Sequence, residues 1–150
     1  MKLAIPKFIA AALALLTVSG ACSGTAAADR GYSLSSIKGA YAGIFTGQAN
    51  TGQTLVPLLG TGIFISDGNG NLSGHESYTF GTTHCDATIS GIYTVDSDGT
   101  GTDAATFTTS SPGCTTGNYT QSLAIGDGGK LALLSNSNGD QINEEWHRQK

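Results

Sequence analysis

Positive charge is scarce in this sequence. Its 150 residues include seven Lys and Arg against eleven Asp and Glu. Two of the basic residues, Lys2 and Lys7, lie near the start, so the chain from Asp29 onward has five basic and eleven acidic residues and a formal charge of −6. A chain without a basic patch lacks the electrostatic attraction that nucleic acids and anionic lipid surfaces require. These two classes of partner are therefore excluded.

Long apolar runs are absent after the first twenty residues. The run that exists, Phe8–Val18, is mostly Ala, Leu and other apolar residues, and it follows the positive charges of Lys2 and Lys7. It is too short to span a bilayer and has the length of a signal-peptide core. We therefore expect residues 1–21 to be a signal peptide and the protein to be exported, either to the bacterial cell envelope or as a periplasmic or secreted protein.

Two cleavage sites compete after this run. Small residues lead up to Cys22 as in a lipobox, in which the cysteine is lipidated, whereas Ala26–Ala28 fits ordinary cleavage after residue 28. The second site lies far from the apolar run, so the lipoprotein is slightly favoured. Residues 22–35 would then form a small-residue tether. The lipid on Cys22 would be the contact with the membrane, at about 0.8 kcal/mol per buried methylene.

Cysteine is rare as well, with three residues in the whole chain. Once Cys22 is set aside as lipidated or removed, Cys85 and Cys114 form an even pair, which in an oxidising compartment predicts a disulfide. Such a bond would close a loop of about thirty residues and stabilise the fold by roughly 3–4 kcal/mol. Two independent buried thiols are the alternative. A metal pair is disfavoured, because neither cysteine lies in a Cys-x-x-Cys unit.

Recognisable catalytic motifs are absent. The chain has no Gly-x-Ser-x-Gly elbow, phosphate-binding loop or His-Glu-x-x-His, and its three histidines are scattered. Asp67-x-Asn-x-Asn71 begins like a calcium loop, but Leu72 and Tyr78 stand where such a loop has Gly and Glu. We interpret it as a hairpin turn. The sequence therefore favours a protein that is not an enzyme over one that is, and it indicates no cofactor and no metal site.

Thr, Ser and Gly are abundant, and short strand-like segments recur at even spacing. Turn sequences such as Asp67-Gly-Asn-Gly70 supply the positive φ angles of tight hairpins. The pattern predicts an all-β fold, an eight-stranded antiparallel up-and-down barrel over residues 36–148 that follows the signal peptide. An open sandwich is the alternative. The predicted strands are 36–48, 55–66, 71–80, 85–95, 100–109, 118–125, 130–135 and 141–147.

A meander makes a prediction about its two rims, because successive connections alternate between them. The tight turns at 67–70, 96–99 and 126–129 should share one rim, where the chain enters and leaves. The longer loops at 49–54, 81–84, 110–117 and 136–140 should share the other. Cys85 and Cys114 both belong to the long-loop rim, which agrees with a disulfide. If Cys22 is lipidated, this rim should point away from the membrane.

Three segments carry a family resemblance. They are Gly39-Ala-Tyr41; Gly62-x-Phe64 with Asp-Gly-Asn-Gly and Leu72-Ser-Gly74; and Gly91-x-Tyr-x-Val with Asp-Gly-Thr-Gly101. In these segments the chain resembles small exported bacterial barrels of the calycin kind. It is similar to avidin-like proteins and to bacterial domains related to the allene oxide cyclase barrel. The resemblance covers most of the mature chain and implies an eight-stranded barrel, often with an internal ligand. It implies no function, because the biotin-pocket and cyclase residues cannot be matched position by position.

Strand alternation identifies the candidate site residues. Glu76 shares an apolar strand face with Leu72 and Tyr78, and Gln121 shares one with Tyr119 and Leu123. Apolar walls with a few convergent polar groups are how proteins hold a small ligand. The alternative is that Glu76 is solvated at the barrel end or that the cluster is structural. The candidate ligand-binding cluster consists of Glu76, Tyr78, Tyr93, Tyr119 and Gln121.

Three functions follow, in order of preference. The first is a non-enzymatic exported barrel that binds a small, largely apolar molecule. The second is a closed structural or protein-interaction barrel of the envelope, such as an inhibitor or surface protein, with an envelope protein as partner. The third is an isomerase or cyclase that uses Glu76, which rests on fold analogy alone.

Overall fold

The computed structural model describes residues 31–136 and 139–150. The predicted signal peptide, Cys22 and the first part of the predicted tether lie outside the described residues. No helix within those ranges is long and apolar enough to cross a membrane.

Eight antiparallel strands form a closed barrel in the order in which they occur in the chain. This confirms the predicted fold class and is consistent with a calycin-like barrel. Within the described ranges, strand boundaries fall at most two residues from the predicted ones, apart from the start of β1. The strands are β1 (Gly39–Asn50), β2 (Leu55–Ser66), β3 (Asn71–Phe80), β4 (Thr83–Val95), β5 (Thr100–Thr109), β6 (Gly117–Gly126), β7 (Leu131–Asn136) and β8 (Gln141–Arg148).

Pairing of the first strand with the last closes the barrel. The ladder between β1 and β8 runs from Tyr41 opposite Arg148 to Gln48 opposite Gln141. Closure leaves no unpaired strand edge, which protects a β protein from edge-to-edge aggregation. The strands alternate between inward and outward side chains, so a single set of positions fills the interior.

The division of the connections between two rims is confirmed, whereas the predicted loop at 81–84 is wrong. The connection between β3 and β4 consists of residues 81–82 only, because β4 already begins at Thr83. The hairpins that follow β2, β4 and β6 lie on one rim, which we call the closed rim, and the other connections lie on the opposite, long-loop rim.

In the first closed-rim hairpin the Asp67 carboxylate accepts hydrogen bonds from the backbone N–H groups of Asn69 and Asn71. Gly68 and Gly70 there have φ angles of 80° and 101°. The Asp67 side chain therefore has a structural role in the turn.

Aromatic side chains fill the half of the barrel next to the closed rim. Phe64 and Trp146 stack with ring centroids 4.4 Å apart and planes at 11°. Gly43 makes room for this pair, because a Cβ at that position would lie 2.7 Å from an atom of each ring. Tyr41 packs beside Trp146 at 6.4 Å. This half of the interior is thus a densely packed apolar core.

A short segment before β1 covers the closed rim. A 3₁₀ helix, Leu34–Ile37, buries Ile37 to 2% exposure, and Leu34 packs against the same core. Arg148 donates hydrogen bonds to the Ser36 carbonyl and to the Tyr41 hydroxyl, tying the segment to the end of β8. The predicted boundary between tether and barrel, at residue 36, falls inside this covering segment.

Candidate functional site

A cavity of about 510 Å³ occupies the other half of the barrel and opens at the long-loop rim. Its walls are mainly apolar and aromatic, and its mouth is formed by loop residues that include Thr51, Gly113 and Asp140. The apolar side chains of the wall are Phe45, Leu58, Tyr78, Phe80, Phe107, Tyr119 and Ile142. We refer to this space as the mouth cavity.

A disulfide between Cys85 and Cys114 forms part of the mouth-cavity wall. It joins the start of β4 to the loop between β5 and β6, with the two Cα atoms 6.0 Å apart. The predicted pairing is confirmed. A disulfide is compatible with an oxidising, extracytoplasmic location.

Glu76 lies in the floor of the mouth cavity. It is on β3, opposite Gly62 of β2 and Ala87 of β4, and retains 8% exposure. No hydrogen bond reaches its carboxyl from the described residues. Burial, together with the nearby negative charge of Glu144, raises the pKa of Glu76 to about 8. Glu76 therefore holds its proton at neutral pH unless a positive group approaches.

Glu144 of β8 also lines the mouth cavity, and two hydrogen bonds fix its carboxylate. The Gln121 side-chain amide donates to one oxygen at 2.6 Å, and the Trp146 indole N–H donates to the other at 2.9 Å. Burial raises the pKa of Glu144, and the two donors act in the opposite direction. Burial therefore outweighs the two donors in setting the protonation of Glu144, while the hydrogen bonds hold its carboxyl group in a defined position.

Three further polar groups lie beside these glutamates and have no hydrogen-bond partner among the described residues. They are both carboxyl oxygens of Asp103, the side-chain carbonyl of Gln121 and the hydroxyl of Tyr119. Asp103 and Gln121 are each 1% exposed and stand opposite each other on β5 and β6. Burial, with a contribution from Glu144, raises the pKa of Asp103 to about 8 and also raises that of Tyr119. Buried polar groups are normally paired, so this cluster is incomplete as a purely structural network.

The structure brings four of the five predicted cluster residues together and separates the fifth. Glu76, Tyr78, Tyr119 and Gln121 all line the mouth cavity. Tyr93 lies in the core at the closed rim, where its hydroxyl accepts a hydrogen bond from Ser66 and donates one to the Leu34 carbonyl. Tyr93 is thus part of the core and lies away from the candidate site.

Sequence reasoning missed Asp103 and Glu144. The signal was present in both strands. Glu144 alternates with Ile142 and Trp146 on β8, and Asp103 alternates with Ala105 on β5, so each carboxyl has the phase of an inward residue. Applying the alternation to every strand would have identified them.

Metal coordination has no support in the described ranges. They contain no group of three or more His, Cys, Asp or Glu side chains placed to hold a metal ion. His84 and Asp86 at the mouth are 3.7 Å apart and well exposed, which makes them a surface pair.

Comparisons with known proteins give the chain no family. A scan against protein-family models, a search of curated proteins and a search of solved structures find no match.

Proposed function

We propose that this protein is an exported, non-enzymatic binding module that holds a small, largely apolar molecule in its mouth cavity. The observation that carries the proposal is a cavity of about 510 Å³ with aromatic walls and an open mouth, in a barrel whose other half is densely packed. Pockets of this size and lining are typical of small-molecule sites. The cavity favours this proposal over a closed structural barrel, in which side chains would fill the whole interior.

Export is supported by two independent features. The sequence begins with a predicted signal peptide at residues 1–21, and a disulfide links Cys85 to Cys114. Disulfides persist in oxidising compartments. The intact mass of the protein purified from its host distinguishes a chain that begins at a lipidated Cys22 from one cleaved after residue 28.

Filling the cavity tests the proposal. The probe is 1-pyrenemethanol, a fluorescent, apolar and uncharged molecule. Ala49 lines the cavity near its mouth, and Thr46 on the same strand is exposed on the outer surface. We expect Ala49→Trp to weaken probe binding by about tenfold or more, because lost apolar burial of some 1.4 kcal/mol already corresponds to a tenfold change.

Thr46→Trp is the matched control, since it adds the same side chain outside the barrel. It should leave the dissociation constant unchanged. Circular dichroism and thermal melting establish that both variants fold. If folded Ala49→Trp binds the probe as tightly as the wild-type protein, the mouth cavity is not the binding site. The proposal is then wrong.

A further inference from the structure

We infer that the ligand carries a cationic amino group, which the Glu76 and Glu144 carboxyls bind at the floor of the mouth cavity. This inference rests on the proposed function and specifies the chemical class of the ligand. The ligand would combine an apolar body, matched to the aromatic walls, with a primary or secondary ammonium group.

When Glu76 is ionised, unpaired acceptor oxygens outnumber the free donors on the cavity floor, where the Tyr119 hydroxyl can still donate. Both donors that face Glu144, the Gln121 amide and the Trp146 indole, are already used by its carboxylate. The Gln121 side-chain carbonyl oxygen has no partner in the part of the chain that the structure describes, and the residue is 1% exposed and lines the cavity. Glu76 adds two more acceptor oxygens when it is ionised. A ligand that satisfies this floor must donate several hydrogen bonds, and an ammonium group donates three and accepts none.

No cation among the described residues lies beside the interior carboxyls to balance their charge when they ionise. Three carboxyl groups, from Glu76, Asp103 and Glu144, interact electrostatically in the interior. The inward basic residue of the described chain, Arg148, lies four residues from Glu144, roughly 13 Å along an extended strand. Its guanidinium is held at the closed rim by Ser36 and Tyr41. Buried charges in proteins are normally paired, so a cationic ligand would complete the site.

The aromatic walls suit the same ligand. Phe107 and Tyr119 stack with centroids 6.4 Å apart, and Phe45 and Tyr78 pack at 6.3 Å on other strands that line the cavity. Ring faces attract ammonium groups, and more strongly where water is excluded. An anionic ligand would meet the opposite environment, because the carboxyls of Glu76 and Glu144 line the floor and the described lining residues include no basic group.

Three probes that share one apolar body test the inference. They are 1-pyrenemethylamine, 1-pyrenemethanol and 1-pyrenecarboxylic acid, which are cationic, neutral and anionic at neutral pH. We expect the amine to bind wild-type protein about tenfold or more tighter than the alcohol, since hydrogen bonds to charged groups contribute roughly 1.5–3 kcal/mol. The carboxylate should bind most weakly.

Two variants test whether the carboxyl of Glu76 causes the preference for the amine over the alcohol. Glu76→Gln keeps the shape of the side chain and removes its charge, so the amine should lose its advantage while alcohol binding persists. Glu145→Gln changes the neighbour of Glu144, which is exposed and contacts His147 outside the barrel, and should retain the wild-type preference. Retention of the amine preference by folded Glu76→Gln would overturn the inference.

The outcomes separate this inference from the proposed function. Equal affinity of the wild-type protein for all three probes would overturn the amine preference and leave the apolar binding module standing. Binding of none of them would overturn the proposed function as well. Tighter binding of the carboxylate would contradict the assigned charge complementarity.

A proton readout provides a second, independent test. Glu76 is protonated at neutral pH in the free protein, and the titratable groups that face it are Tyr78, Asp103, Tyr119 and Glu144. The inward residues of β1, β2, β4 and β7 near this level add no acidic or basic side chain. An ammonium that ionises Glu76 displaces a proton. Calorimetry of 1-pyrenemethylamine in buffers of different ionisation enthalpy should detect proton release, reduced in Glu76→Gln. A buffer-independent enthalpy would contradict the inference.

Discussion

Glu76 occupies an interior position in which an ionised carboxyl is unfavourable. It is 8% exposed, and burial raises its pKa from an ordinary 4.5 to about 8. The folded protein therefore binds this proton more tightly than the unfolded chain does. Linkage requires that the stability contributed by the group is fully present below pH 4.5 and is lost as the pH rises to about 8.

Replacing this carboxyl should change the pH dependence of stability. Each unit of raised pKa corresponds to about 1.4 kcal/mol, so we expect Glu76→Gln to be more stable than wild type by roughly 2–4 kcal/mol near pH 8. Well below pH 4.5, where Glu76 is protonated in both the folded and the unfolded state, the two proteins should differ little. Urea denaturation at the two pH values measures the effect.

The exposed Glu145→Gln variant is the control for this experiment and should follow the wild-type curve at both pH values. A Glu76→Gln protein that is less stable than wild type near pH 8 would mean that the ionised carboxyl has a stabilising partner in the folded protein. The description of the cavity floor as unbalanced negative charge would then be wrong.

At the scale of secondary structure, the strands could be predicted from sequence because each is bounded by turn residues with a defined backbone requirement. Asp67-Gly-Asn-Gly70 is the best example, since its glycines adopt φ angles of 80° and 101°. The inward phase of Glu76 and Gln121 followed from period-two alternation alone. These features are local, so neighbouring residues were sufficient to establish them.

Other features depended on the three-dimensional arrangement. The height of Tyr93 inside the barrel depends on the stagger between strands, which alternation does not determine. The prediction correctly gave it an inward phase but placed it beside Glu76, whereas its hydroxyl bonds Ser66 and Leu34 at the closed rim. Burial of the 3₁₀ helix Leu34–Ile37 likewise could not be predicted from the sequence, because it depends on contacts with the core at the end of the barrel.

That 3₁₀ helix should contribute measurably to stability. Ile37 is 2% exposed against the core of the closed rim. We expect Ile37→Ala to destabilise the protein by about 2–4 kcal/mol, the usual cost of truncating a buried aliphatic side chain. Chemical denaturation provides the measurement. Ser35→Ala, an exposed change in the same helix, should have little effect. Equal stability of the two variants would show that the helix does not close the core.

At the scale of the whole molecule, closure of the barrel does not depend on the disulfide. The ladder between β1 and β8 closes the sheet, whereas Cys85–Cys114 links β4 to the loop after β5. Reduction should therefore lower stability without unfolding the barrel. For a loop of this length, with the cysteines 29 residues apart, we expect a loss of roughly 3–4 kcal/mol.

Denaturation with and without a reducing agent tests this prediction. A Cys85→Ser, Cys114→Ser double variant serves as the control, because its stability should be insensitive to the reducing agent and close to that of the reduced wild type. Loss of the β-sheet circular dichroism signal on reduction alone, in the absence of denaturant, would show that the disulfide is required for closure.

The position of the longest connection, between β5 and β6, at the mouth has a consequence for how this protein can evolve. Three hairpins with tight turns lie at the closed rim, while Thr51, Gly113 and Asp140 surround the mouth. Substitutions and insertions in the long loops can therefore accumulate without disturbing the residues that specify the barrel. One scaffold of this design can diversify its ligand preference across descendants while its foldability is inherited unchanged.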